Sequence, residues 1–581
     1  MRLKETQDKN APFLFHHNHL HRRSMALLLL LGFGLSGLVV GCTTTPHTGE
    51  GSGVPPGTNA GASSTSASAA GNVLRYPLTT DPTTLDPGTV QDGTTIDMLQ
   101  QVYEGLVKWD EKNQLVPNLA TSWEQDTAGT TYTFHLKHGV KFHNGKEFTA
   151  DDFKYSIERA CNPATNSQTV RDYLKDIVGA SDRFNGKANA VQGVKVVDPY
   201  TVQVTIDSFK PYWLGNLTYP CSYVVCKEAI DKNGGKFDEN CAVGTGPFML
   251  KPEGFRRGYQ VALTANPDYH DGKPKLDGIL RPILKDASTR LSKFEAGELD
   301  YTQISPSDLE HVQSDPQLKD KVKMFDRARV WYLALNQDAA NSPFVKREVR
   351  QAFAYAIDRA AVIKDGLHGL AGPLNGILPP GVLAYNPDVK PIPYDPARAK
   401  QLLAQAGYPG GKGFPALSYA FRNDMPEVQE AAEVVRNQLQ TNLGVTINLY
   451  PREWSIYLDE RNKKILPFSH GSWGADYLDP QNFLTTLLHS SRLVNGKEDH
   501  PENGVGYKSP EFDTLCDQAD VEHDPQKRIA LYQQAEKIAI DDCPWVPLYT
   551  QRDVELMSPR VQHIRDSLFG HLPHVTTTVT P

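Results

Sequence analysis

A single apolar segment, Met25 to Val40, limits what this chain can fold into. Arg22 and Arg23 precede the segment and small residues end it, which is the pattern of a secretory signal. The segment is short for a membrane-spanning helix, and no other segment is apolar enough to enter a bilayer. The chain is therefore not a multi-pass membrane protein, and we expect the rest of it to fold outside the cytoplasm.

The end of the apolar segment, Val39-Val40-Gly41-Cys42, resembles the lipobox of bacterial lipoproteins. In that motif, cleavage before the cysteine leaves a thiol and a new amino group that carry lipid. We predict a signal peptide at 1–41 and a lipidated Cys42 that anchors the protein to the outer face of the bacterial cell membrane, at the cell surface or in the periplasm. An uncleaved anchor with an incidental cysteine is the alternative. A twin-arginine signal lacks its usual flanking residues here, so general export is preferred.

The residues after the lipobox predict a flexible tether at 42–71. Thr43 to Gly71 is rich in Gly, Ser, Thr and Ala and cannot bury enough apolar surface to fold. The histidines before the cleavage point are interpreted as incidental rather than as a metal site. They are His16, His17, His19 and His21.

Length and charge narrow the class of protein further. A chain of 581 residues predicts about three or four structural units. Its 60 basic and 68 acidic side chains leave a net charge of −8, whereas binding to phosphate backbones needs clustered Lys and Arg. Nucleic acid is therefore not an expected partner.

Six cysteines remain after Cys42, and an even number in an exported protein favours disulfides. Buried free thiols are the alternative, and the sequence does not give the pairing. Cys516 and Cys543 bracket a helical stretch and could close one loop. The other four lie in the first half of the chain: Cys161, Cys221, Cys226 and Cys241.

The body from Asn72 onward alternates strand-like and helix-like segments, which predicts an α/β fold. Thr149 followed by Asp151 and Asp152 predicts a capped helix start. Strands are predicted at 132–136, 201–206 and 445–449, and helices at 345–363, 395–406 and 427–443. Gly407 and Gly444 follow the last two helices, as is common at helix ends.

Catalytic and cofactor motifs are missing from the sequence. There is no G-x-S-x-G elbow, P-loop, H-E-x-x-H or dinucleotide fingerprint. Gly244 to Phe248 is glycine-rich, but Pro247 removes a backbone donor that a phosphate cradle would need, so we predict a turn into a strand. We expect a binding protein rather than an enzyme, with no cofactor and no metal.

The candidate binding site is the run from Gly471 to Pro480. Its small residues, Ser472, Gly474 and Ala475 among them, allow a ligand backbone to approach closely. Trp473 and Tyr477 can supply flat walls with a polar edge. Asp476 is a carboxylate among small and aromatic neighbours, where a ligand ammonium could pair with it. The alternative is an irregular loop over the core in which Asp476 caps Asp479-Pro480.

Four stretches together resemble the extracytoplasmic solute-binding proteins of family 5, the oligopeptide- and dipeptide-binding components of ABC importers. They are Leu85-Asp86-Pro87 with 103–107 and 117–123; 132–152; Gly244 to Phe248 with Asn266-Pro267-Asp268-Tyr269; and Trp473 to Pro480. The resemblance covers the chain from Asn72 to its C-terminus.

This resemblance implies two α/β lobes that close on a ligand, in a class II type of periplasmic-binding-protein fold with an extra domain inserted in the first lobe. Lobe I would comprise 72–94, 243–328 and 547–581, the inserted domain 95–242 and lobe II 329–546. The implied partners are short peptides and ABC permease subunits, and the implied state is a monomer. A role in sensing peptides rather than importing them stays open.

The resemblance also implies the roles of particular residues. Asp476 would pair with the α-ammonium of a peptide, and Tyr173 would line the cleft. Main chain at Ser472, Trp473 and Gly474, and at Asp81, Pro82 and Thr83, would pair with the ligand. Arginines that hold the peptide carboxylate in relatives have no clear counterpart.

Two alternatives to peptide binding stay open. The same fold could bind another solute, an oligosaccharide or a metal chelate, and a sugar would stack on Trp473 and Tyr477. A hydrolase is a different class, but no nucleophile–base pair can be nominated for it.

Overall fold

The computed structural model describes residues 72–491 and 504–580. The predicted signal peptide at 1–41 and the whole predicted tether at 42–71, Cys42 included, lie outside these residues. No helix in the described ranges is long and apolar enough to cross a membrane.

The strands of the described ranges, in chain order, are as follows. They are β1 (Val73–Arg75), β2 (Val107–Trp109), β3 (Leu115–Pro117), β4 (Ala120–Gln125), β5 (Thr131–Leu136), β6 (Val194–Asp198), β7 (Thr201–Thr205), β8 (Phe248–Arg256), β9 (Gln260–Ala265), β10 (Gly278–Pro282), β11 (Tyr301–Gln303), β12 (Val322–Leu335), β13 (Ala371–Pro373), β14 (Leu417–Arg422), β15 (Ile447–Arg452), β16 (Phe468–Gly474), β17 (Trp545–Met557), β18 (Val561–Gln562), β19 (Asp566–Ser567), β20 (Gly570–His571) and β21 (Thr578–Val579).

The α-helices of the same ranges alternate with these strands. They are α1 (Gly93–Leu99), α2 (Ala150–Ala160), α3 (Val170–Tyr173), α4 (Ala180–Phe184), α5 (Trp213–Asn216), α6 (Lys227–Lys232), α7 (Ala287–Glu295), α8 (Leu309–Ser314), α9 (Arg347–Tyr355), α10 (Arg359–Ala361), α11 (Pro396–Gln405), α12 (Pro426–Leu443), α13 (Trp454–Asn462), α14 (Leu484–Leu488), α15 (Pro510–Asp520) and α16 (Pro525–Asp542).

Local sequence signals explain several of these boundaries. Thr149 and Asp152 form the capping box at the start of α2, as the sequence predicts. α12 ends at Gly444, whose φ of 71° is a left-handed conformation that glycine adopts without steric cost. β8 begins at Phe248, directly after the glycine-rich run that we interpreted as a turn.

The predicted helix at 345–363 is interrupted in the structure. α9 ends at Tyr355, and Asp358 adopts an extended conformation in which its side chain accepts a hydrogen bond from the Ala361 N–H. The Gln438 side chain accepts from the Asp358 N–H at 2.8 Å and donates to its carbonyl at 3.2 Å. Tertiary hydrogen bonds thus hold a break that the apolar spacing alone does not reveal.

The sheets fall into two groups. A four-stranded sheet in the order β1-β10-β9-β8 and another in the order β4-β5-β7-β6 come mainly from the first half of the chain. A larger sheet in the order β11-β17-β12-β16-β14-β15, with β13 beside β17, carries the second half. The long antiparallel strands β12 and β17 are neighbours in this larger sheet, and β17 also pairs with β11 at its distal end and with β13 in its middle.

The hydrophobic cores follow this division and give a two-lobed, mixed α/β molecule. One core is built almost wholly from residues 74–283, and two others from residues 328–549. Residues on both sides of the boundaries that we predict at 94/95 and 242/243 share the first core. The division of the first lobe into lobe I and an inserted domain therefore stays a prediction.

The favoured prediction of disulfides is wrong for the six cysteines after Cys42. All six are free thiols, and each is buried. Cys516 lies in α15 and packs in one core, whereas Cys543 follows α16 and packs in a different core. The thiols act as small apolar side chains of the core, so no loop is closed between them.

Candidate functional site

Strand β16, which carries the predicted residues Ser472, Trp473 and Gly474, has one paired edge and one largely open edge. Ser472, Trp473 and Gly474 pair with Trp331, Val330 and Arg329 of β12. On the other side, the β14 ladder reaches only from Phe468 to Ser469. In the described structure, the edge of β16 beyond Ser469 is thus free of ladder partners on that side. Such an edge can accept an extended peptide as an added strand.

Asp476 lies two residues beyond this strand and is partly buried. Its Oδ2 accepts a hydrogen bond from the Tyr173 hydroxyl at 2.6 Å and another from Asn482 Nδ2 at 3.1 Å. Tyr173 ends α3, in the first half of the chain, so this contact joins the two lobes. The structure therefore brings together two residues that the sequence placed in the cleft.

Burial raises the pKa of the Asp476 carboxyl to about 6. The hydrogen bonds from Tyr173 and Asn482, and the charge of Arg329, act in the opposite direction but do not cancel this effect. None of the described Lys, Arg or His side chains forms an ion pair with Asp476. A bound cation would stabilise the ionised form and relieve this cost.

Asn482 was missed by sequence reasoning and holds the site together. It is fully buried, and its Oδ1 accepts from both the Asp476 N–H at 3.0 Å and the Trp473 indole N–H at 3.1 Å. Its Nδ2 donates to the Asp476 carboxylate. One amide thus fixes the main chain and side chain of Asp476 and the ring of Trp473.

The turn that places Asn482 is anchored by an ion pair. Asp479, not Asp476, caps the 3₁₀ turn Pro480–Asn482 by accepting from the Gln481 N–H. Arg528 of α16 donates to both oxygens of Asp479, each at 2.7 Å. This buried two-pronged pair raises the pKa of Arg528. The alternative in which Asp476 itself caps the turn is therefore wrong.

Four tyrosines pack around the contact between the lobes. Tyr173 stacks on Tyr219 with ring centres 3.8 Å apart, and Tyr477 stacks on Tyr212 at 6.1 Å. Tyr477 is buried and rests against Gly215, where a Cβ would lie 2.7 Å from the tyrosine. Tyr477 therefore serves as a contact between the lobes and exposes little of its ring as a wall for a ligand.

The other predicted residues of the run lie along the same loop. Trp473 and Ala475 are half-buried and pack against one core of the second lobe. The Ala475 N–H donates to the Ala328 carbonyl at 2.7 Å, which continues the pairing of β16 with β12.

The predicted segment at 81–83 lies in the first lobe. The Thr83 N–H donates to Thr95 Oγ1 at 2.9 Å, and the Asp81 side chain accepts from the Gly258 N–H at 2.7 Å. Pro82 has no N–H to offer. The carbonyls of this segment could still accept hydrogen bonds from a ligand, so its role stays a prediction.

Arg329 is a second residue that sequence reasoning missed. A Cβ at Gly474 would lie 3.0–3.2 Å from its guanidinium, and one at Gly93 would lie 3.3 Å from it. Gly474 and Gly93 thus leave room for this side chain between the lobes. Burial lowers the pKa of Arg329, and none of the described carboxylates forms an ion pair with it. The sequence signal was weak, because the same strand also carries Lys323, Asp326 and Arg327, and the sequence does not show that Gly474 lies opposite Arg329.

The described residues contain no cluster of three or more His, Cys, Asp or Glu side chains that could hold a metal ion. The site presents hydrogen-bonding and charged groups to a ligand. It offers one carboxylate, one guanidinium and an open strand edge.

Comparison with known proteins identifies the family. Residues 114–495 match the family described as bacterial extracellular solute-binding proteins, family 5 Middle. The chain belongs to this family. Among its relatives, heme-binding protein A of Haemophilus influenzae is 32% identical over 81% of this chain and 86% of the relative. Dipeptide-binding protein DppE of Bacillus subtilis is 27% identical over 93% of this chain and 96% of the relative.

Solved structures agree with this membership. The murein tripeptide binding protein MppA of Escherichia coli has a TM-score of 0.78 at 26% identity, covering 88% of this chain and 99% of MppA. The unliganded open form of MppA scores 0.66 at 25% identity, with the same coverage. The chain is therefore more similar in structure to the first MppA structure than to the open form.

Proposed function

We propose that this solute-binding protein captures short peptides between its lobes and delivers them to the permease of an ABC importer. The observation that carries the proposal is Asp476, a partly buried carboxylate between the lobes that has no cationic partner among the described residues. The names of DppE and MppA, which refer to a dipeptide and a murein tripeptide, support the same ligand class.

Each part of the site has a task in this proposal. Asp476 binds the α-ammonium of the peptide, and Tyr173 and Asn482 orient the carboxylate. The open edge of β16 pairs with the peptide main chain, which gives affinity without regard to side chains. Arg329 supplies N–H donors for a carbonyl or carboxylate oxygen further along the peptide.

The proposal extends to where and how the protein works. Cys42 carries lipid, and the tether at 42–71 lets the body reach the permease while it stays at the membrane. In this proposal the protein binds its ligand without converting it, and no nucleophile beside a general base can be nominated among the described residues of the site.

Calorimetry with the purified body tests the ligand and the role of Asp476 together. We expect a mixture of di- and tripeptides to bind with micromolar or tighter affinity. Asp476→Ala should cost about 3–5 kcal/mol, or at least a hundredfold in Kd, because the peptide ammonium is left buried without a partner.

A matched control is Asp459→Ala, which removes an exposed aspartate of the same lobe that pairs with Lys463. This variant should bind peptides as the unchanged protein does. Normal peptide binding by Asp476→Ala would refute the site, and protection from melting by saccharides but not peptides would refute the ligand class.

A further inference from the structure

A pocket lies beside β12, and Trp331 lines it on the face of this strand that also carries Arg329. It has about 550 Å³ of empty space, open solvent included, and Gln303 of β11 and Pro306 of the turn after it line one side. Its walls are largely apolar. They are formed by Trp331, Leu367, Leu370, Met425 and Tyr549.

The pocket connects to the open edge of β16 through Trp331. Trp331 lies two residues from Arg329 on β12, and in a strand such residues point to the same face. Trp331 also pairs with Ser472 of β16. A peptide on the open edge of β16 would therefore lie two strand spacings from Trp331, about 10 Å, on the sheet that carries the pocket.

Glu427 is the one charged side chain lining the pocket that lacks a protein partner in the described ranges. Asp553 accepts from Arg327 and, at 2.6 Å, from the Gln551 amide, whereas Arg552 donates to Asp326 at 2.8 Å. Glu427, the second residue of α12, forms neither an ion pair nor a side-chain hydrogen bond with another described residue.

Two arginines on neighbouring elements lie near Glu427, but neither forms an ion pair with it. Arg422 of β14 binds both oxygens of Asp424, and Arg290 of α7 donates to the carbonyls of Leu284 and Lys285. Burial raises the pKa of Glu427 despite the attraction of these two arginines. The helix dipole favours a carboxylate in the first turn of a helix such as α12. This effect does not explain why the carboxylate of Glu427 lines an apolar pocket.

We propose that this pocket takes the positively charged side chain of a bound peptide, with Glu427 as its counter-ion. This inference rests on the proposed function. The aliphatic stem of a lysine or arginine would pack against Leu367, Leu370 and Met425, while its charge reaches Glu427. The rings of Trp331 and Tyr549 offer further surface to a cation.

Calorimetry with paired tripeptides tests the pocket. Each pair is alanine-based and carries either lysine or its neutral analogue norleucine at the first, second or third position. At one position at least, we expect the unchanged protein to bind the lysine peptide at least tenfold more tightly. In Glu427→Gln the two peptides should bind within about threefold of each other, since one decade in Kd corresponds to about 1.4 kcal/mol.

Glu433→Gln is the matched control because it makes the same change on the same helix, away from the pocket lining. It should keep the preference for lysine. The pocket assignment is overturned if the unchanged protein prefers lysine at no position, or if Glu427→Gln keeps the preference. If the norleucine peptides bind but the preference for lysine is missing, only the pocket assignment fails. If no peptide of the set binds, the proposed function itself fails.

Discussion

The Asp476 carboxylate meets groups that come from distant parts of the chain. Tyr173 approaches from α3 of the first lobe, and Asn482 from the turn that follows β16. Together they hold one oxygen of the carboxylate while burial raises its pKa to about 6. At neutral pH the group is therefore mostly ionised and poised to bind a cation.

The raised pKa of Asp476 predicts that peptide affinity depends on pH. A bound ammonium lowers this pKa, so binding requires the ionised form that prevails above pH 6. We expect affinity to be steady between pH 7 and 7.5 and to fall by up to about tenfold per pH unit below pH 6. Titration calorimetry from pH 5 to 7.5 measures this.

Asp476→Asn provides the control for the pH experiment. Its residual peptide binding should vary little over the same range, because the titrating group is gone. An unchanged pH dependence in this variant would assign the effect to another group.

At the residue level, the sequence predicts the site residues that lie in stretches resembling the family. It misses the residues whose side chains surround them in the folded protein. Asp476 and Tyr173 were placed in the cleft, and their side chains do meet. Asn482, Arg329 and Glu427 carry no local signal. Their importance depends on partners, or on the lack of partners, that only the tertiary structure shows.

At the scale of elements, α16 supports the site through one ion pair. Arg528 is buried and binds both oxygens of Asp479, and it also donates to the Ala519 carbonyl at 3.0 Å. The pair fixes the turn that carries Asn482, although Arg528 lies far from the ligand. Helix α16 thereby positions Asp476 indirectly, through the turn and Asn482.

We predict that Arg528→Met destabilises the protein by about 3–5 kcal/mol, because Asp479 is left buried without its partner. Chemical unfolding followed by circular dichroism measures the loss. Adding Asp479→Leu to this variant should recover most of it, since an apolar pair can replace a buried ion pair. The exposed neighbour Lys527→Met should change stability little, and an equal loss there would contradict the assignment.

The elements themselves were largely predictable. The strands at 131–136 and 201–205 and the helices at 396–405 and 426–443 follow from periodicity and from their end signals. The helix at 345–363 was not predictable in detail, because Gln438 holds open the break at Asp358. The disulfide prediction failed because all six cysteines after Cys42 are buried free thiols that take apolar positions in the cores, which the cysteine count does not show.

At the scale of the whole molecule, the first lobe touches the second on two sides of the site. Tyr173 bonds to Asp476, and Phe209 stacks on His523 with ring centres 3.9 Å apart. Closing lobes exclude water from the cleft, which strengthens an ion pair inside it. The difference between closed and open forms is also the signal that a permease can recognise.

A crystal structure of the protein with a bound tripeptide would show whether Asp476 binds the amino terminus of the peptide. We expect the peptide α-nitrogen about 2.7–2.9 Å from an Asp476 carboxylate oxygen, with the peptide main chain paired along Ser472 to Gly474. A peptide bound with its amino terminus away from Asp476, or outside the cleft between the lobes, would refute the site.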